Sequence, residues 1–399
     1  MSAILTLNAG SSSVKFSVYL TGDGLVELAV GQVDNVGGDA RLVRTHNNQK
    51  HVEDLGATDH SQAVEAILKA IMPLLDGRRI DGVGHRIVHG GVNYSEPIIL
   101  SKSVQTDLRS LVELVPLHQS FNLLGVTAAQ EAFPDILQVG CFDTAFHRSQ
   151  SRVSDTFALP RRFYDEGVRR YGFHGLSYQY ISQVLRRDYP ELAAGRVVIA
   201  HLGNGASMCA MRDGLSVGSS MGFSTLDGLA MGTRCGQLDA GVVLYLLQKG
   251  MTESEISQLL YNESGLKGLS GISHDMRTLL ASEAPEAEEA IDYYVYRIRR
   301  ELGAMTAMLG GLDGFVFCGG IGEHAAEIRA RVLDGMEYFG LVLDESGNRK
   351  NGPRIGKDSV EVLVIPTDEE RVIAEATVSL LGAQTETPSS EQSHHLMEL

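Results

Sequence analysis

Cysteine and positive charge are both scarce in this sequence. It contains four cysteines among 399 residues, and none of them belongs to a C-x-x-C pair. We therefore expect reduced thiols in a cytosolic protein. Lysine and arginine total 34 against 50 for aspartate and glutamate, which gives a net charge of -16. That charge argues against a nucleic-acid partner, although a few cations and a metal ion suffice to hold a nucleotide in an acidic protein.

Long apolar runs are missing as well. No segment approaches 18 continuous apolar residues, so no membrane span is predicted. The N-terminus enters a strand-like segment at residues 4–7 with no basic or long apolar region, so no signal peptide is predicted. We therefore expect a cytoplasmic protein with no membrane partner.

Glycine is abundant, at 44 residues, and it clusters in short loops that are typical of turns and of close approach to a ligand. The length predicts about two domains. Hydrophobic periodicity then predicts two similar cycles of strands and helices. The first cycle has strands at residues 3–7, 14–20, 82–88 and 136–142, and helices at 61–75, 104–114 and 121–132. The second has strands at 196–200, 315–318 and 360–365, and helices at 286–308, 324–336 and 368–381.

The two cycles predict an α/β protein with two duplicated domains and a ligand cleft between them. The first domain is assigned to residues 1–147 together with a C-terminal helix at 372–385. The second is assigned to residues 148–371, and the polar residues 386–399 are predicted to form a disordered tail. A chance match of two glycine turns is the alternative explanation of this weak self-similarity.

Three glycine-containing loops follow apolar runs, at residues 8–13, 201–205 and 319–323. Small side chains let backbone N–H groups reach an anion, and Lys15 adds a positive charge beside the first loop. The third loop is expected to open a helix, against which a nucleotide can lie. Ordinary tight turns remain the alternative for each, and none matches the Walker A pattern.

Cations and acids cluster beside small residues in the same regions. Arg86, His174 and Arg234 each have glycine nearby in the sequence, which suggests a close ligand, with a salt bridge or a core histidine as the alternative. Asp143 ends an apolar strand, and residues 367–370 form an acidic run. The acids predict a magnesium site, because Mg²⁺ takes one or two carboxylates plus phosphate oxygens. Acidity at a helix start is the alternative for the second group.

Taken together, these motifs resemble the acetate kinase family, in the right order and over almost the whole chain up to about residue 382. The segments that carry the resemblance are residues 8–15, 84–91, 142–147, 171–175, 201–205, 231–234, 275–277 and 320–323. The family belongs to the superfamily of acetate and sugar kinases, Hsp70 and actin. The resemblance implies two ribonuclease-H-like domains around a nucleotide cleft, a homodimer, and reversible transfer of the ATP γ-phosphoryl group to acetate with Mg²⁺ or Mn²⁺.

The resemblance also implies roles for individual residues, each taken from its place in a matching motif. The implied catalytic residues are Arg86, Asp143, His174 and Arg234. Those implied to bind the carboxylate substrate are Arg86, Val88, Leu117, His118, Phe173 and Thr225. Those implied to face ATP or ADP are Lys15, His201, Leu202, Gly203, Asn204, Gly205, Asp275, Met276, Arg277, Gly320, Ile321, Gly322, Glu323 and His324. Asn8 and Glu369 are implied to lie at the metal.

Two positions depart from the family pattern. Thr225 stands where members often have proline, which leaves the choice of acyl chain open, and His324 stands where they often have asparagine, which leaves nucleotide preference open. A propionate or other short-chain acyl kinase of the same fold is therefore the nearest alternative. From a different class, a non-catalytic Hsp70-like or actin-like ATP-binding switch remains, although no residues are left for a separate Hsp70 substrate domain.

Overall fold

The chain divides into two compact units. A computed structural model describes residues 2–385, apart from the side chains of Pro116, Leu117, Gln384 and Thr385. The first unit comprises Met1–Phe142 and Glu369–Leu399, and the second comprises Asp143–Asp368. The predicted tail at 386–399 lies outside the described residues. Among the described helices, none has the length and apolar character needed to cross a membrane.

Within residues 2–385 the backbone forms thirteen strands and sixteen α-helices. The strands are β1 Ala3–Ala9, β2 Ser13–Leu20, β3 Val26–Asp34, β4 Asp39–His46, β5 Gln49–Ala57, β6 Ile80–Ile87, β7 Ile98–Ile99, β8 Leu137–Phe142, β9 Arg196–Leu202, β10 Ala206–Arg212, β11 Leu215–Ser219, β12 Gly314–Cys318 and β13 Glu361–Val364. The helices are α1 His60–Ile71, α2 Lys102–Ser110, α3 Pro116–Ala132, α4 Arg152–Asp155, α5 Arg161–Asp165, α6 Gly175–Asp188, α7 Pro190–Ala193, α8 Ala240–Gln248, α9 Glu253–Asn262, α10 Gly265–Ser270, α11 Met276–Leu280, α12 Pro285–Leu309, α13 Gly319–His324, α14 Ala326–Leu333, α15 Glu345–Arg349 and α16 Glu369–Thr385. Short 3₁₀ segments lie at Met72–Leu75, Ala145–Ser149 and Glu337–Phe339.

The first unit is built on an eight-stranded sheet in the order β5-β4-β3-β2-β1-β6-β8-β7. Strand β1 is antiparallel to β2 and parallel to β6. Its side chains alternate between two buried faces, as the two-residue period of a strand requires. Leu5 and Leu7 share a core with Ile67 of α1, whereas Ile4 packs with Ala374 of α16. Helices therefore cover both faces of the centre of this sheet.

The second unit is built on a five-stranded sheet in the order β11-β10-β9-β12-β13. Strand β9 is antiparallel to β10 and parallel to β12. Ile181 and Leu185 of α6 share a core with Val197 and Ile199 of β9. The long helix α12 contacts β9 and β10, and it has buried residues from Ala287 to Leu309.

The two sheets share one strand order. In each, three antiparallel strands are followed by two parallel ones: β3-β2-β1-β6-β8 in the first unit and β11-β10-β9-β12-β13 in the second. The predicted α/β class with duplicated halves is confirmed. The first unit adds the β4–β5 hairpin at one edge and β7 at the other, and none of these strands was predicted from the sequence.

Residues 319–323, predicted as a loop, instead form most of helix α13. The carboxylate of Glu323 accepts the backbone N–H of Gly319 at 2.8 Å, so the motif supplies the partner for its own first turn. The predicted helix over residues 324–336 is correspondingly wrong in its start. A second helix, α14, begins at Ala326 and ends at Leu333.

Candidate active site

The turn between β1 and β2 is fixed through its carbonyl groups. Within the turn, the backbone N–H of Gly10 donates to the carbonyl of Ser13 at 2.8 Å. Nε2 of His60 lies 2.7 Å from the carbonyl of Gly10, and the amide of Asn122 donates to the carbonyl of Ala9 at 2.7 Å. With these carbonyls held by α1 and α3, the turn presents serine side chains at its surface, where Ser11 and Ser12 are exposed.

Arg86 is the centre of the candidate site in the first unit. It lies near the end of β6, and its Nη1 donates to Oδ1 of Asn8 at 3.3 Å. Its Nε lies 3.8 Å from Oε2 of Glu369, with both side chains largely buried. Asn8 is also the cross-strand partner of Lys15, so these two side chains leave the sheet on the same face. Three separate sequence motifs thus bring a guanidinium, a carboxylate and an amide oxygen together, with an ammonium on the neighbouring strand.

The remaining predicted acceptor residues of this unit lie directly after β6 and on α3. Val88 is buried and its backbone N–H donates to Oδ1 of Asn122 at 2.9 Å, which ties the end of β6 to α3. His118 lies half-buried near the start of α3. Leu117 belongs to the same helix, but its side chain lies outside the described part of the chain.

His174 anchors the candidate site of the second unit. It has φ of 57° and ψ of 25°, a left-handed conformation that is uncommon for a residue with a side chain and that clusters at functional sites. Its Nδ1 lies 2.8 Å from Oγ of Ser207 on β10, and its ring stacks on His201 with centroids 4.3 Å apart. Directly after it, the N–H of Gly175 donates to the carbonyl of Asp143 at 2.8 Å. Asp143 is itself buried, and its backbone, which follows the end of β8, lies beside the start of α6.

The turn between β9 and β10 lies beside His174 and Arg234. The N–H of Gly203 donates to the carbonyl of Gly205 at 3.1 Å, which closes the turn. A Cβ atom at Gly205 would come within 3.2 Å of Nε2 of His174 and 3.3 Å of Nη2 of Arg234. Nη1 of Arg234 donates to the carbonyl of Thr225 at 2.8 Å. Glycine at 205 therefore lets the backbone pass directly beside both of these predicted catalytic side chains.

A cavity of about 580 Å³ opens in the second unit beside this turn. Three distant segments meet at it: the β9–β10 turn, the start of α11, and α13. The predicted nucleotide-facing residues that line it are Gly203, Asn204, Asp275, Met276, Arg277, Gly320, Ile321 and His324. The lining also includes His274, Leu280 and Ala325, which the sequence reasoning missed. Their neighbours in the motifs were the only signal that pointed to them.

Five predicted nucleotide-facing residues of the second unit do not line that cavity in the described structure: His201, Leu202, Gly205, Gly322 and Glu323. Leu202 is fully buried, and the carboxylate of Glu323 accepts the N–H groups of Gly319 and Thr367 at 2.8 and 3.1 Å. The hydroxyl of Thr367 donates to Oγ of Ser177, which lies 2.8 Å from Nδ1 of His201. Glu323 thus joins the loop before α16 to the start of α13.

Burial and ion pairing shift several pKa values near these sites. Burial lowers the pKa of His147 to about 4, and its Nε2 lies 3.0 Å from the carbonyl of Phe173, next to His174. Burial likewise lowers the pKa of His85, beside Arg86, to about 4. At the cavity, hydrogen bonds from Arg277 lower the pKa of Asp275 to about 2. Both histidines are therefore neutral near pH 7, and Asp275 is ionised.

Several known proteins are similar to this chain over almost its whole length. The sequence model of the acetokinase family matches residues 3–375. The chain is 54% identical over 395 residues to a protein named acetate kinase from Methylocella silvestris, covering 95% of this chain and 98% of that protein. It is 48% identical over 395 residues to a protein named acetate kinase from Nitrobacter hamburgensis, covering 96% of each.

Solved structures agree with the sequence comparison. The structure of a propionate kinase from Francisella tularensis superposes with a TM-score of 0.90 at 33% identity, covering 95% of this chain and all of that one. The structure of acetate kinase from Porphyromonas gingivalis superposes with a TM-score of 0.85 at 37% identity, covering 96% of this chain and all of that one. The chain therefore belongs to the acetokinase family.

Proposed function

We propose that this protein transfers the γ-phosphoryl group of ATP to acetate, giving acetyl phosphate and ADP, and that it catalyses the reverse reaction as well. The observation that carries the proposal is the meeting of three separated family motifs at one cavity of the second unit. Family membership supports the reaction class, a phosphotransferase with a carboxyl acceptor. An oxygen of the carboxylate bonds to the γ-phosphorus, while the bond from that phosphorus to the β–γ bridging oxygen breaks and its electrons leave with ADP.

We assign the nucleotide to the 580 Å³ cavity. Its volume lies within the range of small-molecule sites, and its lining mixes apolar side chains with a few polar groups, as such sites do. Ile321, Met276 and Leu280 offer apolar surface for a base, and Gly203 and Gly320 let backbone approach the phosphates. His324 lies at the same cavity and is the residue that we expect to set nucleotide preference.

We assign the acceptor carboxylate to Arg86. A carboxylate is already ionised at pH 7, because its pKa lies near 4, so the reaction needs no base to activate the nucleophile. The obstacle is repulsion between two anions, and a guanidinium offsets it with two parallel donors that match a carboxylate. Arg86 already faces oxygen acceptors on Asn8 and Glu369, which supports a site built to hold oxygen anions.

We assign His174 and Arg234 to charge that develops on the transferring phosphoryl group. Both approach the β9–β10 turn at Gly205, and each is held by a defined partner, Ser207 for His174 and the carbonyl of Thr225 for Arg234. Side chains fixed in advance stabilise a transition state without reorganising during the reaction. Asp143 is assigned as a positioning group, because no proton has to be removed from the acceptor.

We assign Mg²⁺, or Mn²⁺, to Asn8 and Glu369. Within residues 2–385 no three acidic, histidine or cysteine side chains form a metal-binding group. One carboxylate and one amide oxygen still fit Mg²⁺, which prefers oxygen ligands and commonly takes only one or two from protein. When bound, the ion neutralises phosphate charge. Arg86 lies 3.3 Å from Oδ1 of Asn8 and 3.8 Å from Oε2 of Glu369, the two oxygens that would hold the ion.

The direct test is formation of acetyl phosphate, trapped as the hydroxamate, with ATP, acetate and Mg²⁺. Reactions without ATP, without acetate and with EDTA are the controls. We expect hydroxamate only in the complete mixture. Hydrolysis of ATP with no acyl phosphate, at any acetate concentration, would contradict the proposal and favour the ATP-binding switch.

A propionate kinase is the second candidate, because the propionate kinase structure superposes at least as well as the acetate kinase structure. The values of kcat/KM for acetate, propionate and butyrate decide between the two. We expect the highest value for acetate. Thr225→Pro keeps the carbonyl that accepts from Arg234, so we expect this variant to alter the ratio between acyl chains more than kcat for acetate. A butyrate optimum in the unaltered protein contradicts the assignment to acetate.

The homodimer and the cytoplasmic location also remain proposals. The resemblance implies the first, and the scarcity of cysteine motivated the second. All four cysteines are free in the described structure.

A further inference from the structure

Two histidine rings lie face to face beside the β9–β10 turn. The rings of His174 and His201 stack with centroids 4.3 Å apart and an angle of 19° between their planes. In both rings Nδ1 lies 2.8 Å from a fully buried serine hydroxyl. The partner of His174 is Ser207, and the partner of His201 is Ser177. The same nitrogen of each ring is therefore held by a hydroxyl that is shielded from water.

Each serine also contacts a second hydroxyl farther from the ring. The hydroxyl of Tyr178 lies 2.5 Å from Oγ of Ser207, and Tyr178 is fully buried. The hydroxyl of Thr367 donates to Oγ of Ser177 at 2.8 Å. A serine hydroxyl has one hydrogen, so a serine that accepts from the second hydroxyl keeps its own hydrogen for the ring. We call Tyr178 with Ser207 the first hydroxyl chain, and Thr367 with Ser177 the second.

The direction of donation in each chain follows from the acceptors. An imidazole nitrogen is basic and a phenol is a better donor than an aliphatic alcohol, so the first chain ends with Ser207 donating to Nδ1 of His174. In the second chain, the other neighbour of Ser177 is Sγ of Cys318 at 3.8 Å. Sulfur is a weak acceptor, so the serine hydrogen goes to Nδ1 of His201.

We propose that the two hydroxyl chains hold both rings neutral, with Nδ1 accepting and the ring proton on Nε2, and that Tyr178 and Thr367 are the positioning residues at the far ends. The stacking agrees with this, because two imidazolium rings 4.3 Å apart repel each other. Arg234 adds to the repulsion. Its Nη2 and Nε2 of His174 both lie within 3.3 Å of the position that a Cβ atom at Gly205 would take.

Both Nε2 atoms lie close to the β9–β10 turn. A Cβ atom at Gly205 would lie 3.2 Å from Nε2 of His174, and one at Gly203 would lie 4.0 Å from Nε2 of His201. Two N–H donors in fixed positions suit the oxygen atoms of a nucleotide polyphosphate, and they need no reorganisation when it binds. This step rests on the proposed function, whereas the positions of the two ring protons do not.

The direct test is nuclear magnetic resonance of the unaltered protein with nitrogen-15 in its histidines. Nitrogen chemical shifts distinguish a ring protonated on Nε2 from one protonated on Nδ1 and from an imidazolium. The variants H174Q and H201Q identify the two rings among the 13 histidines. At about pH 7.5 we expect both rings to be neutral with the proton on Nε2. A proton on Nδ1 of either neutral ring, or an imidazolium at either position, overturns the proposal.

The variant Y178F removes the outer hydroxyl of the first chain and keeps the aromatic ring. The hydroxyl of Ser207 is then able to turn and accept from Nδ1, so we expect signals of the second tautomer for His174 and none for His201. We expect kcat to fall ~10-fold while KM for ATP and for acetate changes less than ~2-fold. Y296F is the matched control, because Tyr296 is 61% exposed, and it should change neither the ring signals nor the rate. Unchanged ring signals in Y178F overturn the positioning role of Tyr178.

The variant T367V removes the outer hydroxyl of the second chain but keeps the backbone N–H that donates to Glu323. We expect second-tautomer signals for His201 alone. We also expect KM for ATP to rise ~3- to 10-fold, because the resemblance implies that His201 faces ATP. T367S returns the hydroxyl and should restore both readings. If T367V changes the signals of both rings, or if T367S restores neither reading, Thr367 is a structural support and its positioning role fails.

The ring signals separate this proposal from the proposed function. If both rings carry their protons on Nε2 in a protein that forms no acyl phosphate, the proposed function fails and the proton positions stand. If the protein forms acetyl phosphate but either ring is an imidazolium, the proposed function stands and the hydroxyl chains do not set the protonation of the rings.

Discussion

The two units share a strand order but use their first turn differently. In the first unit, hydrogen bonds to backbone carbonyls fix the β1–β2 turn, and its serines are exposed. In the second unit the β9–β10 turn passes beside His174 and Arg234 and borders the cavity. The free space shows the same contrast: a Cβ atom at Gly10 would have 3.5 Å to its nearest neighbour, and one at Gly205 only 3.2 Å.

The comparison suggests that the two units bind different reactants. The first unit gathers Arg86 with oxygen ligands, as a site for a carboxylate and a metal ion requires. The second unit gathers glycine backbone, His174, Arg234 and a cavity, which suits a nucleotide. A duplicated framework therefore does not imply duplicated chemistry, because the residues that follow corresponding strands differ.

Removing one arginine from each unit is the strongest test of this division. We expect Arg86→Ala and Arg234→Ala each to lower kcat/KM at least ~1000-fold, because each removes a charge-assisted contact. Arg86→Ala should act mainly by raising KM for acetate, and Arg234→Ala by lowering kcat. Steady-state hydroxamate kinetics with acetate and ATP varied separately measure both. An unchanged KM for acetate in Arg86→Ala contradicts the assignment of the acceptor to the first unit.

Arg41→Ala is the control for these two variants. Arg41 forms an ion pair with Asp54 on the β4–β5 hairpin, where the two side chains are 59% and 76% exposed. Exposed pairs contribute little to stability, so this variant should keep full activity.

Adding a methyl group to each turn is the second test. In Gly205→Ala the side chains of His174 and Arg234 must move by a few tenths of an ångström, and we expect kcat to fall ~10- to 100-fold. In Gly10→Ala the new methyl has ordinary van der Waals distances, and we expect less than a ~3-fold change. Equal losses in the two variants would show that the turns are more alike than their packing suggests.

The smallest expected effect concerns one buried histidine in each unit. His85 and His147 have pKa values near 4 in the folded chain, against 6.5 without burial. Between pH 6.5 and 4 the unfolded chain binds a proton at each position that the folded chain does not. The free energy of unfolding therefore decreases as the pH is lowered from 6.5 to 4, by up to about 1.4 kcal/mol per pH unit for each histidine. Above pH 6.5 both forms are neutral, and neither histidine adds a pH dependence.

Hydrogen exchange resolves the contribution of each unit. The amides of β6 report the free energy of unfolding of the first unit, and those of β10 report that of the second. Between pH 6.5 and 4.5 we expect His85→Gln to flatten the pH dependence of this free energy in the first unit, and His147→Asn to flatten it in the second. Rates are compared after correction for the intrinsic pH dependence of exchange. If either variant flattens both units equally, the two units unfold together and the histidines act on one cooperative transition.

Much of the fold followed from hydrophobic pattern. The predicted helix at 286–308 is α12, Pro285–Leu309, because a long 3.6-residue period leaves little choice. The hairpin β4–β5 was not predicted, because its outer strand is almost wholly exposed. A strand with no buried face has no alternation of apolar and polar residues by which to recognise it. Helix α13 escaped because glycine indicates a loop, whereas the carboxylate of Glu323 satisfies the first turn from within.

Site residues that belong to a recognisable motif could be predicted from the sequence. Residues that reach the site only through packing could not. Asn204, Arg277 and Ile321 are far apart in sequence, yet the resemblance placed them together and the cavity has all three in its lining. His274 was missed because a single histidine in a loop gives no signal of its own. The path from Glu323 through Thr367 and Ser177 to His201 was missed because it joins hydroxyls and a backbone N–H that no spacing rule links.

Helix α16 belongs to the first unit but follows the second in the chain, so the two units are completed at different times during synthesis. It packs against β1, β6 and β8, and it sits so close to Gly84 that a side chain there would strike Ile373 and Thr377. The ribosome makes this helix only after the whole of the second unit, a delay of roughly 10–50 s at about 5–20 residues per second. The second unit is continuous in the chain, so we expect it to fold as it emerges. Before helix α16 is made, the first sheet lacks the cover that Ala374 gives to Ile4, so we expect nascent chains stalled before residue 369 to be the ones that chaperones bind.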